Sequence, residues 1–324
     1  MKKFLTDIPV ALIFFNRPDT FAKVFESVAA ARPSKLFLIQ DGARKNKCGE
    51  EKKVLECRNL INVDWECEVY EDFATENLGC GRRVFTGISK AFEVVDRLVI
   101  IEDDIVIGED MLPFCFEMLE RYKNDERIGL ISGMNHIGIY DRIDKSYFFS
   151  YRGGAIWGWA TWRRVWDSVD WNLDCAKNQY LMETLAALSL PQIDGKQMVR
   201  RAIAKYESIQ KGERQTSWTT QFVVTACVLQ SRLYIVPSKN LTSNIGIMGE
   251  HSNSSSITTV PRGQRRIYFA RVYKLEWPLK HPEYVIDDAI YSGMQRKIMN
   301  GGFLGKYLRV IERLLYRVFP ILGK

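Results

Sequence analysis

Ile100-Ile101-Glu102-Asp103-Asp104-Ile105-Val106-Ile107 is a β-type apolar run that three consecutive carboxylates interrupt before it resumes. Burying one unpaired carboxylate costs several kcal/mol, so acids at the end of a core strand need a partner. A hard divalent cation that takes oxygen ligands is the obvious one, which makes a metal-dependent reaction the leading expectation. The alternative is a strand-to-loop turn whose acids simply face water.

The segments before the triplet decide its context. Residues 10–15 form a compact apolar run ended by Asn16-Arg17-Pro18-Asp19, and Phe21, Val24, Phe25 and Val28 then recur at helical spacing through residues 20–31. Pro33 stops that helix, residues 35–40 read as a second buried strand, and Asp41-Gly42 closes it. A polar helix at 50–60, an alternating strand at 66–73 and the turn Glu76-Asn77-Leu78-Gly79-Cys80-Gly81 follow. The helix at 82–95 leads into the strand at 98–101 that carries the acids. Repeated βα units imply an α/β fold with a mixed, mainly parallel central sheet flanked by helices. Ligands of such sheets bind at the carboxyl ends of the strands, where Asn16, Asp41, Glu76 and Glu102 to Asp104 all fall.

Beyond the triplet, residues 113–122 read as a helix and 128–132 as a strand. The segment Gly153-Gly154-Ala155-Ile156-Trp157-Gly158-Trp159-Ala160-Thr161-Trp162 sets flat aromatic faces among small residues. It is either a sugar-stacking shelf, with Trp157 and Trp159 as its faces, or a tightly packed turn in the core. Helices are expected at 178–190, 195–210 and 218–230, and a short strand at 233–236. The Ser/Thr/Asn-rich residues 252–259 read as a flap over a bound ligand.

With 324 residues, 46% of them hydrophobic, the chain can bury a large core. Its formal charge of +7 favours anionic partners without naming one. The 7 cysteines contain no C-x-x-C pair and read as reduced thiols of a cytoplasmic protein without a zinc site. No stretch reaches the roughly 18 apolar residues of a membrane span. The expected organisation is one domain over 1–250, in two halves over 1–135 and 136–250. A flexible loop and linker over 251–300 and a basic amphipathic helix over 301–324 complete it.

The ordered combination resembles the GT-A glycosyltransferases, broadly family 2-like, over about residues 8–250. Val99-Ile100-Ile101-Glu102-Asp103-Asp104, with Asp110 and Phe114, is also similar to the Glu-Asp-Asp region of the N-acetylglucosaminyltransferase of the N-glycan pathway. The resemblance implies a nucleotide-sugar donor, most simply a UDP-sugar, and a glycan acceptor. Phe15, Asn16 and Arg17 would line the nucleotide pocket, and Asp41 would accept a hydrogen bond from the pyrimidine. Asn77, Gly79, Arg82 and Arg83 would run toward the phosphates, although the two arginines also suit a solvated helix face. Asp103 would hold the ribose and Asp104 the cofactor, Mn²⁺ or Mg²⁺, with Glu102 beside them. In such enzymes the acceptor half supplies a carboxylate base near a helix start; Ser217-Trp218-Thr219-Thr220-Gln221 holds none, so either Glu213 or another acid substitutes or the mechanism is different. Ser243-Asn244-Ile245-Gly246 matches the Asn-x-Gly element of related enzymes, and His251 after it is a second candidate for the metal or diphosphate. A nucleotidyltransferase shares the sheet and the acids, but Phe15-Asn16-Arg17-Pro18 lacks the glycines such enzymes carry there. A nucleotide-sugar-binding protein without a base is the non-catalytic alternative.

Lys306, Arg309, Arg313 and Arg317 line one side of a helix over 303–319, and Leu304, Tyr307, Leu308, Ile311, Leu314, Leu315 and Val318 the other. A cationic stripe opposite a wide apolar one suits an anionic membrane surface, and with it a lipid-linked glycan; packing on protein is the alternative. That reading puts the protein at the inner face of the cell membrane. No nucleic-acid recognition motif is present, so nucleic acid is not an expected partner.

Overall fold

The computed structural model describes residues 2–151, 154–190, 193–246, 260 and 262–300. His251, the 252–259 stretch and the 303–319 helix lie outside them.

Strand β1 (Thr6–Phe14) is buried along nearly all its length, and Pro18 at the first turn starts α1 (Pro18–Ala31), whose Phe21, Val24, Phe25 and Val28 face the core. Then come β2 (Pro33–Gln40), α2 (Glu50–Asn59), β3 (Glu68–Phe73), α3 (Cys80–Val94) and β4 (Arg97–Glu102). These are the expected βα units, and β3, β2, β1 and β4 pair in parallel. Continuous apolar runs suit such strands because both faces are covered by helices. In register, Phe14 lies beside Gln40 and Gln40 beside Phe73, while Ile13 lies beside Glu102, so the loops after all four strands meet at one edge.

The apolar run that resumes after the acids does not continue the same strand. Asp103 and Asp104 form a turn, and β5 (Ile105–Ile107) leaves the main sheet. The chain continues through α4 (Met111–Arg121), β6 (Ile128–Ser132), β7 (Tyr147–Ser150), β8 (Trp159–Trp162) and α5 (Arg163–Trp166). Then follow α6 (Gln179–Ala187), the small hairpin β9 (Ser189–Leu190) and β10 (Ile193–Asp194), and α7 (Gly195–Gln210). A short α8 (Thr219–Gln221) runs into a π-helical stretch, Phe222–Val228. Strands β11 (Leu233–Pro237) and β12 (Thr242–Asn244) follow, and β12 pairs antiparallel with β5.

The main sheet has 8 strands in the order β3-β2-β1-β4-β8-β6-β11-β7. β8 is antiparallel to both β4 and β6, and β7 is antiparallel to β11. The sheet is therefore mixed and mainly parallel, as expected. The insertion of β8 changes the reading of the Trp segment. Trp159 is fully buried, its ring stacked 5.5 Å from Trp218 and tilted 5.1 Å from Phe222. It is a core residue of the sheet with no ring face for a sugar.

Residues 262–300 also depart from the expected linker. They contain α9 (Arg262–Arg265) and α10 (Ala289–Asn300) and fasten to the domain. Tyr291 is fully buried between Tyr140 and Phe148, and Asp110 accepts hydrogen bonds from Leu275 N (2.8 Å) and Trp277 Nε1 (3.0 Å). Among the described residues no helix is long and apolar enough to cross a membrane.

Candidate active site

At the carboxyl edge, Asp103 and Asp104 converge on the Arg17 guanidinium. Arg17 Nη1 lies 3.0 Å from Asp104 Oδ2, and Nη2 bonds Asp103 Oδ1. Phe15 N donates to the second oxygen of Asp103 at 3.2 Å, so the loop after β1 is tied to the acids through two residues. The partner that the buried carboxylates require is thus supplied by the chain itself. Burial works against the guanidinium charge, yet Asp103 and Asp104 hold it above arginine's ordinary range. Burial also pushes Asp104 up, with Asp103 adding to it and Arg17 opposing it. Glu102, at the end of β4, is pushed well above the usual carboxylate range by burial, then by Asp104 and Asp103.

The other face of Asp104 meets the end of β12. Ile245 N donates to the Asp104 carbonyl at 2.8 Å, and a Cβ on Gly246 would lie 2.1 Å from Asp104 Oδ2. Glycine is needed there for the close approach. Tyr268, which bridges to Asn244, packs its ring 5.2 Å from Trp157. Burial raises the Tyr268 phenol and the Asp104 charge adds to the effect, so this ring pair stands beside the acids. Trp157 is half-buried and remains the candidate shelf; Tyr268 was not found from sequence, because it follows the Ser/Thr-rich stretch and belongs to no motif.

Asp41 does not present a free acceptor. Its carboxylate takes four hydrogen bonds, from Gly42 N (3.0 Å), Leu78 N (2.8 Å), Gly79 N (2.9 Å) and Asn77 Nδ2 (3.1 Å). An ionised carboxylate has about four acceptor positions, so none is left for a pyrimidine. Asp41 instead fixes the loop that starts α3. Gly79 there has φ +81°, and a Cβ on it would meet the Arg214 side chain at 2.7 Å. Arg214 also bonds Asn77 Oδ1, which carries the turn after α7 over the Asn77 to Gly79 loop. Glu213, next to it, is exposed.

Arg83 is likewise taken up by the fold. It is 3% exposed, donates to the Gln40 carbonyl (3.1 Å) and to the Asp72 carbonyl, and pairs with the Asp72 carboxylate at 2.8 Å. It locks α3 to β2 and β3 and cannot reach a phosphate. Arg82, one residue earlier, is exposed. Asn16 donates to Glu50 at 2.9 Å. Glu50 is 3% exposed, accepts from Arg44 N at 2.7 Å and is ion-paired with the Arg44 guanidinium. Although burial raises it, Arg44 and Asn16 hold its carboxyl below the usual value. Sequence reading passed over Glu50, and its place in the first turn of α2 gave no sign that its partners were in two other loops.

Asp103 and Asp104 offer oxygen ligands of the kind a hard divalent cation takes, although Arg17 engages both here. Among the described residues no three His, Cys, Asp or Glu side chains form a set that could hold a metal ion. An ion at Asp103 and Asp104 would complete its shell from a diphosphate and water, as Mg²⁺ in phosphate-binding sites commonly does.

No protein-family model and no curated protein sequence matches the chain. Among solved structures, a mannosyltransferase from Pyrobaculum calidifontis in complex with GDP-Man and Mn²⁺ is similar, at 14% identity, 98% of this chain, 84% of that chain and a TM-score of 0.36. A UDP-glucose pyrophosphorylase complexed with UDP-glucose has 10% identity over 73% of this chain and 92% of that one, with a TM-score of 0.35. Mouse xyloside xylosyltransferase 1 has 9% identity over 71% and 84%, with a TM-score of 0.34. At these scores the functional reading rests on the chain's own residues.

Proposed function

We propose that this chain is a divalent-metal-dependent glycosyltransferase that moves a sugar from a nucleoside diphosphate donor, most simply a UDP-sugar, to a glycan hydroxyl. The observation that carries the reading is the convergence of Asp103 and Asp104 on one cationic point at the carboxyl edge of a mainly parallel sheet. The loops bearing Phe15, Asn16, Arg17, Asn77 and Gly79 surround that point and form the donor pocket. Asp103 and Asp104 are the residues that would hold Mn²⁺ or Mg²⁺.

In transfer, the acceptor oxygen forms a bond to the sugar's anomeric carbon as the bond from that carbon to the diphosphate oxygen breaks. The electron pair leaves with the diphosphate, whose added negative charge a bound divalent cation stabilises as a Lewis acid. Arg17 holds the donor diphosphate, the Asn77 to Gly79 loop that Asp41 fixes borders it, and Trp157 with Tyr268 forms the aromatic wall beside the transferred sugar. The acceptor's proton goes to a carboxylate; Glu213, on the turn that Arg214 ties to the donor loop, is the proposed base. A single displacement of this kind inverts the anomeric centre.

The acceptor class follows from the tail. A lipid-linked glycan on the cytoplasmic leaflet is the acceptor that a basic amphipathic helix over 303–319 would bring within reach. In flotation with anionic vesicles the full chain is expected to rise with the lipid, and a chain ending at 302 to remain behind; equal binding of both removes the membrane assignment. The transfer reading itself is tested by Asp104→Ala. Mn²⁺-dependent release of UDP from a UDP-sugar should fall at least a hundredfold while the circular dichroism spectrum is kept, and undiminished release would reject the assignment.

A further inference from the structure

We propose that Arg17 is an internal counter-ion of the acid pair, which a divalent cation and a nucleoside diphosphate displace together, so that either one alone binds weakly. The inference rests on the donor-binding reading and assigns Arg17 a positioning role within it.

The geometry is that of a competitor. One guanidinium spans Asp103 and Asp104, with Nη1 3.0 Å from Asp104 Oδ2 and Nη2 on Asp103. A carboxylate oxygen engaged by an arginine N–H cannot also coordinate an ion at full strength, and a divalent cation next to a guanidinium is repelled by it. Entry of the ion therefore requires Arg17 to let go of Asp104.

The surroundings permit that movement. The backbone of Arg17 is pinned at the start of α1, where its carbonyl accepts from Phe21 N at 2.9 Å and from the Thr20 hydroxyl at 3.3 Å. The side chain is 28% exposed, so the head has a route outward that the backbone lacks. Asp103 keeps a second donor in Phe15 N at 3.2 Å and stays anchored after the exchange. On its other side Asp104 faces the backbone of Gly246.

The released guanidinium needs an anion, and a diphosphate is the one the donor carries. Arginine matches phosphate oxygens with two parallel N–H bonds as well as it matches carboxylates. The exchange thus moves Asp104 from Arg17 to the metal and Arg17 from Asp104 to the phosphate. Each ligand removes the obstacle to the other, which is positive cooperativity.

The test is Mn²⁺ titration followed by electron paramagnetic resonance, with and without UDP, on the full chain and on Arg17→Gln. The full chain should bind Mn²⁺ alone at least tenfold more weakly than Arg17→Gln does, and UDP should tighten Mn²⁺ binding far more in the full chain. Arg17→Lys, which keeps the charge but not the fork, covers failure of the glutamine variant to fold and should bind Mn²⁺ alone severalfold tighter than the full chain. If the folded variants bind Mn²⁺ alone no tighter than the full chain, the counter-ion role is overturned, while Mn²⁺-dependent UDP binding by the full chain leaves the donor reading standing. If no protein binds Mn²⁺ even with UDP, both are overturned.

Discussion

Arg82 and Arg83 are adjacent, and their environments make them opposite cases. Arg83 shares the buried face of α3 with Val84, Gly87, Ile88 and Ala91, so its guanidinium ends on the carbonyls and carboxylate at the edge of β2 and β3. Burial alone would raise the carboxyl of its partner Asp72, but Lys90 and Arg83 outweigh it and hold it low. Arg83→Met would leave the buried Gln40 carbonyl without this donor while Asp72 keeps Lys90 at 2.8 Å, so it should cost about 2 kcal/mol in urea unfolding. Arg82→Ala, at an exposed site, should stay within about 0.5 kcal/mol. Equal losses for the two would contradict the assignment. The helical phase that separates them is present in the sequence: 84, 87, 88 and 91 already mark the inner stripe, and 83 falls on it.

Among the elements, those formed from local patterns were legible and those formed from distant pairing were not. The units β1 to β4 read directly because β1, β2 and β4 are continuous apolar runs, the edge strand β3 alternates, and α1 and α3 show a 3.6-residue stripe. β8 did not, because four residues in a Gly- and Trp-rich segment become a strand only when β4 and β6 leave a gap between them. The partners of the acid triplet were hidden for the same reason: Arg17 is 86 residues from Asp103, and Gly246 follows β12, which pairs with the strand that the acids redirect. That pairing carries a consequence at the site. Gly246→Ala would press a methyl into the Asp104 carboxylate, so metal-dependent UDP binding should weaken at least tenfold in calorimetry. Unchanged affinity would mean that Asp104 is free to move away from β12 without loss.

At the scale of the whole molecule, residues 262–300 belong to the domain rather than to a linker. Tyr291 from α10 fills a site between Tyr140 and Phe148 at the β7 side of the sheet, and its hydroxyl donates to Asn135 at 2.9 Å. Tyr291→Ala should therefore lower stability by about 3 kcal/mol in urea unfolding, whereas a residue on a mere tether would register almost nothing. The polar, uneven composition of this segment concealed its packing, since it fastens through single side chains such as Leu275, Trp277 and Tyr291. The site lies at the opposite kind of place, on loops that the sheet brings to one edge, and its claim is that Asp103 and Asp104 receive a metal and a nucleoside diphosphate together. The most direct measurement is thermal unfolding of the full chain and of Asp104→Ala with a panel of nucleotide sugars, each with Mn²⁺ and with a chelator. A ligand at one hundred times its dissociation constant stabilises the native state by about 2.7 kcal/mol, which is several degrees or less in a chain of this size. The account predicts that at least one nucleoside diphosphate sugar raises the midpoint of the full chain only when Mn²⁺ is present, and leaves Asp104→Ala unmoved. No shift with any of them, or the same shift in both proteins and with the chelator, would contradict it.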